Sequence, residues 1–370
     1  MLRSISVGIL LFQFLPLVCA EDAPSPLTVV DARPDDVMNA KFASTDGWIG
    51  ADAVYSIPLP DDSTLWIFGD TLVGRIRDGK RQDVGMVNNS FARQRGWGPE
   101  ADVRLLLNRD SDGEPTSYVV PEDQPGYFWI WDGIVEGGKL YAFTTRLTSP
   151  GTISAFDWKL MDQSLLVIDN PLDDPATWRV QQLDLPFGIF TDDYEALWGL
   201  DVIRAGAHLY IYGTTRRKNG DPRSLVVARV APQELTDFSR WRFRNGSSWG
   251  TDSRQADALA SGVGTEGSIT WLPDRRKYVY VYSPPLDPNI QMRTSETPIG
   301  PWSQPVTIYT CPEAAWDQNI FCYAGKARLV PGTTDELLIS YATNSFDMLT
   351  DVTEDARVYQ PRFVSARITD

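Results

Sequence analysis

Histidine is almost missing from this chain of 370 residues: His208 is the only one, in the turn-forming run Ala205-Gly206-Ala207-His208. That leaves no basis for a histidine-built metal site or a Ser-His-Asp relay. Any acid–base chemistry must come from carboxylates, tyrosines or lysines. Cysteine is scarce too, with three in all. Basic residues are outnumbered, 34 Lys and Arg against 49 Asp and Glu, for a net charge of −15. With a pI near 4.6 and no basic patch, nucleic acid and anionic membrane are poor partners. Long helical periodicity is absent, as are linkers and low-complexity tracts that would divide the chain.

The first twenty residues read as a secretory signal peptide. Arg3 gives the positive start, Ile5 to Leu17 are mostly apolar, and Val18-Cys19-Ala20 fits the small-residue cleavage rule. The run is short for a membrane span, so no membrane insertion is expected. Residues 21–370 then form one domain, secreted or periplasmic and monomeric. Cys311 and Cys322 remain after cleavage, and their closeness in an exported chain suggests a disulfide; two buried thiols are the alternative.

Gly47 to Gly74, GWIGADAVYSIPLPDDSTLWIFGDTLVG, reads as a β-hairpin about Pro60-Asp61-Asp62-Ser63. Folding it about Asp61 sets Ile57 against Leu65 and Asp52 against Asp70. Like charges directly across a ladder are destabilising, so a chain keeps such a pair where a proton, a cation or a reaction uses it.

The hairpin recurs. Trp129–Thr145 turns at Gly137-Gly138, Tyr194–Thr215 near Gly206, Glu266–Ser283 at Pro273-Asp274, and Phe321–Thr343 at Pro331-Gly332. Repeats of this size need neighbours to cover both faces of each sheet. Five of them predict an all-β, five-bladed β-propeller, with one terminus completing a blade built from the other. A pair of β-sandwiches is the competing architecture.

Aligning the turns places Glu266 level with Asp52 at one mouth of the channel. Trp131 and Asp132, Glu195 and Trp198, and Tyr323 and Lys326 are expected near the same level. Carboxyl groups among indole rings suit glycoside cleavage, which uses one carboxyl group as acid and another as base or nucleophile. It requires no cofactor and no metal. Asp52 is the candidate base or nucleophile, Asp70 its charge-tuning or participating neighbour, and Glu266 the candidate general acid, with Glu195 as the alternative. Asp132, Glu195, Trp131, Trp198, Tyr323 and Lys326 are the candidate substrate-binding residues, for a polysaccharide or oligosaccharide. A non-catalytic carbohydrate-binding or scaffold propeller would use the same residues without cleavage.

The run GADAVYSIPLPDDSTLWIFGDTLVG, with Asn88-Asn89-Ser90, LVVARV, PIGPWSQP, ELLISYATNS and YQPRF, resembles a group of secreted five-bladed propellers. That group is catalogued as domain of unknown function 4185, with a close relative, 5005. Some members are endo-D-arabinanases. The resemblance spans nearly the whole chain after the leader. It implies the propeller fold, the paired acids, and a furanoside polymer such as arabinan as the substrate to consider first. The chain departs from the group's pattern at Ala51, where a second glycine is expected, and at Arg328, where a histidine is common.

Overall fold

A computed structural model describes residues 24–149 and 156–370. The signal peptide expected at Met1–Ala20 lies outside the described residues. Strands dominate, and the only α-helices among the described residues are the short Asp36–Lys41 and Met348–Glu354. Of the seven antiparallel sheets among the described residues, five large ones follow one another along the chain. Sheet one pairs Tyr55–Pro58, Ser63–Phe68, Ser90–Arg95 and Asp102–Leu106. Sheet two runs from Tyr127–Glu136 out to Val180–Asp184, and sheet three is built on Tyr194–Ala205 and His208–Arg217. Sheet four starts at Gly267–Leu272 and sheet five at Ile320–Leu329.

The turns close where their chemistry dictates. Gly137 and Gly138 take φ of 59° and 81°, the left-handed pair that a two-residue hairpin turn requires, and Glu136 pairs with Lys139 across them. Ile57 pairs with Leu65, Val135 with Leu140, and Gly267 with Tyr282, in the register the turns predict. Thr28–Pro34 joins the far edge of sheet five beside Arg362–Thr369, so the first described strand completes the last sheet.

Each sheet is tied to the next by side-chain hydrogen bonds, four of the five links through first strands. The carboxylate of Asp132 accepts the Val202 N–H at 3.2 Å, joining sheets two and three. Asp201 accepts the Ile269 N–H, joining three and four. The Ser268 hydroxyl donates to the Ala327 carbonyl at 2.9 Å and accepts the Ala327 N–H at 2.7 Å, joining four and five. Arg328 Nε donates to the Ser56 hydroxyl at 2.9 Å, joining five back to one. Asn89, beside sheet one, donates to the Phe128 carbonyl of sheet two at 3.2 Å. Between the sheets lie buried apolar residues such as Leu65, Ile67, Phe143, Leu165, Val226, Val279 and Ile339. Each contributes about 1.5–3 kcal/mol by leaving water.

The expected disulfide is not formed. Cys311 and Cys322 are free and buried, and the neighbouring Cys322 sulfur is the main cause that pushes the Cys311 thiol up. Both sit in an apolar cluster with Ile290, Ile308 and Tyr341, the setting of inert thiols.

Candidate active site

The hairpin of sheet one is broken where the chemistry gathers. Ala53 and Val54 stand at φ of 69° and 59°, and the strand is interrupted between Asp52 and Tyr55. A β-branched residue in that region is a strained one, and such strain persists only where neighbours hold it. Lys326 Nζ donates to the Ala53 carbonyl, and the Ser340 hydroxyl donates to the Val54 carbonyl at 3.2 Å. The ladder resumes beyond the loop, with the Asp52 N–H on the Asp70 carbonyl at 3.3 Å and the Gly69 N–H on the Asp52 carbonyl at 3.2 Å. Asp52 and Asp70 are thus opposed, although Thr71 continues into a separate three-stranded sheet with Asp46–Ala51 and Lys80–Val87.

Both carboxyl groups open into one cavity of about 250 Å³, which Glu266, Trp129, Trp131, Tyr323 and Tyr359 also line. Their surroundings differ. Asp52 Oδ2 accepts the Tyr323 hydroxyl at 2.7 Å. Burial first, then the charge of Asp70, push Asp52 up to about 8 against that hydrogen bond. Asp70 Oδ1 accepts two N–H donors, Asn88 Nδ2 and Trp129 Nε1, each at 2.9 Å. Burial raises Asp70 as well, while those two donors pull it back. Gly69 leaves the room this needs: a Cβ there would fall 2.6 Å from Asp52 Oδ1.

Tyr359 reaches Asp52 from the segment before the last strand, at φ of 63°. Arg81, 2% exposed, holds that segment. Its guanidinium donates to the carbonyls of Val358 at 2.8 Å, Ala356 at 3.1 Å and Val352 at 2.6 Å.

Glu266 stands at the same cavity, bonded to Lys326 Nζ at 3.2 Å. The Lys326 ammonium also lies 4.1 Å from the centre of the Tyr55 ring. It is turned to the floor, below the acids, where it lines a second cavity of about 500 Å³ farther along the channel.

The other expected residues divide. Trp131 lines the acid cavity, its indole N–H on the Thr145 hydroxyl at 2.8 Å. Asp132 does not share that cavity. The ladder shifts register between Ile130 and Gly133, which sends Trp131 to the acid cavity and Asp132 to the second one, beside Asp201 and Arg328. There it serves as the link between sheets two and three. Glu195 also lies apart: its carboxylate is held by Arg223 at 2.5 Å and Arg216 at 3.5 Å. Trp198 is 0% exposed, packed edge-on to Phe243 with its N–H on the Phe187 carbonyl, so it has no face to offer a sugar. Asn88, Trp129 and Tyr359 were not among the expected site residues. Trp129 precedes Trp131 by two positions on the same strand and carried a readable signal; Asn88 follows Val87, the partner of Thr71, and so comes opposite Asp70, whereas Tyr359 arrives from a segment that no strand pairing places there.

Aromatic rings lead out of the cavity on both sides of the acids. Trp129 meets Trp158 at 5.0 Å, and Phe321 meets Phe346 at 4.7 Å. Trp158 is 36% exposed and Phe346 56%.

Opposed carboxyl groups in an aromatic-walled cavity, on sheets joined in a ring, are features a polysaccharide-processing protein can use, and solved structures similar in fold include glycoside hydrolases. A candidate hydrolase from Bacteroides ovatus is 20% identical, covers 90% of each chain and superposes with a TM-score of 0.71. The GH43_1 enzyme from Xanthomonas citri complexed with xylotriose is 15% identical over 90% of this chain and 92% of that one, at 0.50. The RS223 β-xylosidase is 12% identical over 91% and 94%, at 0.51. The chain itself belongs to the family described as Domain of unknown function (DUF5005), whose model matches residues 35–368. No curated protein sequence matches it.

Proposed function

We propose that this chain is an exported glycoside hydrolase on a five-bladed β-propeller, cleaving an extracellular polysaccharide with Asp52 and Asp70. The opposed pair in unequal surroundings, Asp52 raised by burial and by the charge of Asp70 and Asp70 held by two N–H donors, carries the reading. Asp52, with its raised affinity for a proton, is the general acid that protonates the leaving oxygen. Asp70, with two N–H donors on one oxygen, is the carboxylate that acts as nucleophile or base. This reverses the order expected for Asp52 and moves the acid away from Glu266. Glu266, charge-matched to Lys326, accepts hydroxyl hydrogen bonds from the bound sugar. Trp129, Trp131 and Tyr323 supply faces and a hydroxyl for the sugar ring.

An arabinofuranose polymer is the first substrate to test, on the resemblance to the arabinan-cleaving group. The xylotriose bound by the Xanthomonas citri enzyme makes xylan the second. The test is reducing-end release by purified protein from arabinans, arabinogalactans, xylans and algal or bacterial polysaccharides. Release that disappears in Asp52→Asn supports the reading. Binding without release from every polymer would replace it with a non-catalytic saccharide-binding role.

A further inference from the structure

A third pocket adjoins the acid cavity and shares Thr265, Glu266, Phe321 and Tyr323 with it. It measures about 250 Å³ and its outer wall carries Arg216 and Arg223. Arg223 has settled partners. It bonds Glu195 at 2.5 Å and the Thr214 hydroxyl at 3.1 Å, and side chains of Arg223 and Glu195 are 8% and 7% exposed. That pair is already neutral. Arg216 is a surplus cation: among the described residues its one ion pair is the 3.5 Å contact with Glu195, and its side chain is 42% exposed. Lys326 cancels Glu266 on the inner side. The pocket therefore holds one positive charge in excess, in a chain whose net charge is −15. A planar guanidinium with open N–H groups matches the paired oxygens of a carboxylate or sulfate.

We infer that this pocket is a subsite for a sugar carrying an anionic substituent, a uronate carboxylate or a sulfate ester, beside the sugar at the acids. The inference rests on the glycoside hydrolase reading for its saccharide, and on Arg216 for its charge. Arg216 is the residue that contacts the substituent; Arg223 and Glu195 hold it in place.

The test is calorimetric titration of the whole protein with glucuronate, glucose 6-sulfate and, as the neutral control, glucose. One of the two acids should bind at millimolar concentration where glucose does not, and which one binds identifies the substituent. Arg216→Gln should weaken that binding at least about tenfold, equal to about 1.4 kcal/mol, and Arg216→Lys should restore part of it. Arg216 is half exposed, so these variants fold. Acids that bind no better than glucose, or binding unchanged in Arg216→Gln, would overturn the subsite. The titration needs no cleavage. A polymer screen that fails beside a positive titration removes the hydrolase and keeps the anionic-sugar site, and the converse result removes only the site.

Discussion

The N–H of Asp52 donates to the carbonyl of Asp70 at 3.3 Å, so their side chains leave opposed positions of one ladder toward one cavity. Carboxyl groups on facing positions of one hairpin suit the ~5–5.5 Å separation of retaining glycosidases better than the ~6.5–9.5 Å that inverting ones need to seat a water.

Cleavage should therefore retain the anomeric configuration, through a covalent sugar ester on Asp70. Proton NMR of the first-formed product decides this. An inverted product would assign Asp70 as a base for water. Asp70→Asn should lower kcat by at least ~10²–10⁴-fold, the range for losing an essential acid or base.

The pH profile follows from the two environments. Activity should rise as Asp70 ionises, at a pH above the usual 3.8 because burial raises that group. It should fall as Asp52 loses its proton near pH 8. Stability has its own sign. The folded state holds the Asp52 proton more tightly than the unfolded chain, so this contribution is complete below about pH 4 and lost as the pH climbs to 8. Asp52→Asn removes the loss, and its stability relative to the parent should grow between pH 4 and pH 8. Urea melts at the two pH values measure it, and an equal difference at both would show that Asp52 is not held protonated.

Gly69→Ala isolates the position of Asp52 from its chemistry. The new Cβ would meet Asp52 Oδ1 at 2.6 Å, so the carboxyl group must turn away. Activity should drop by about 10²-fold, the cost of a misplacement of about 1 Å in an active site. The melting temperature should change little, since Gly69 is not among the glycines with positive φ. Full activity would mean that the carboxyl group is free to move.

Much of this protein could be read along the chain. Turn chemistry and strand pairing are local, so residue order by itself determined the five hairpins, their register next to the turns and the opposition of Asp52 to Asp70. The scarcity of histidine and the abundance of acids narrowed the chemistry for the same reason: composition is independent of folding. The tertiary structure decided which side chains meet. A shift of register at Ile130 to Gly133 sends Asp132 away from Trp131, and side-chain alternation counted along a strand carries no record of such a shift. Packing between sheets closed over Trp198, and the Arg223 guanidinium claimed Glu195. Tyr323 and Tyr359 reach Asp52 from segments far away in sequence, but burial and the charge of Asp70 raise Asp52 against their hydrogen bonds, while Asn88 and Trp129 pull Asp70 back. A proton affinity depends on what surrounds a group in space, and that was fixed only when the ring of sheets closed.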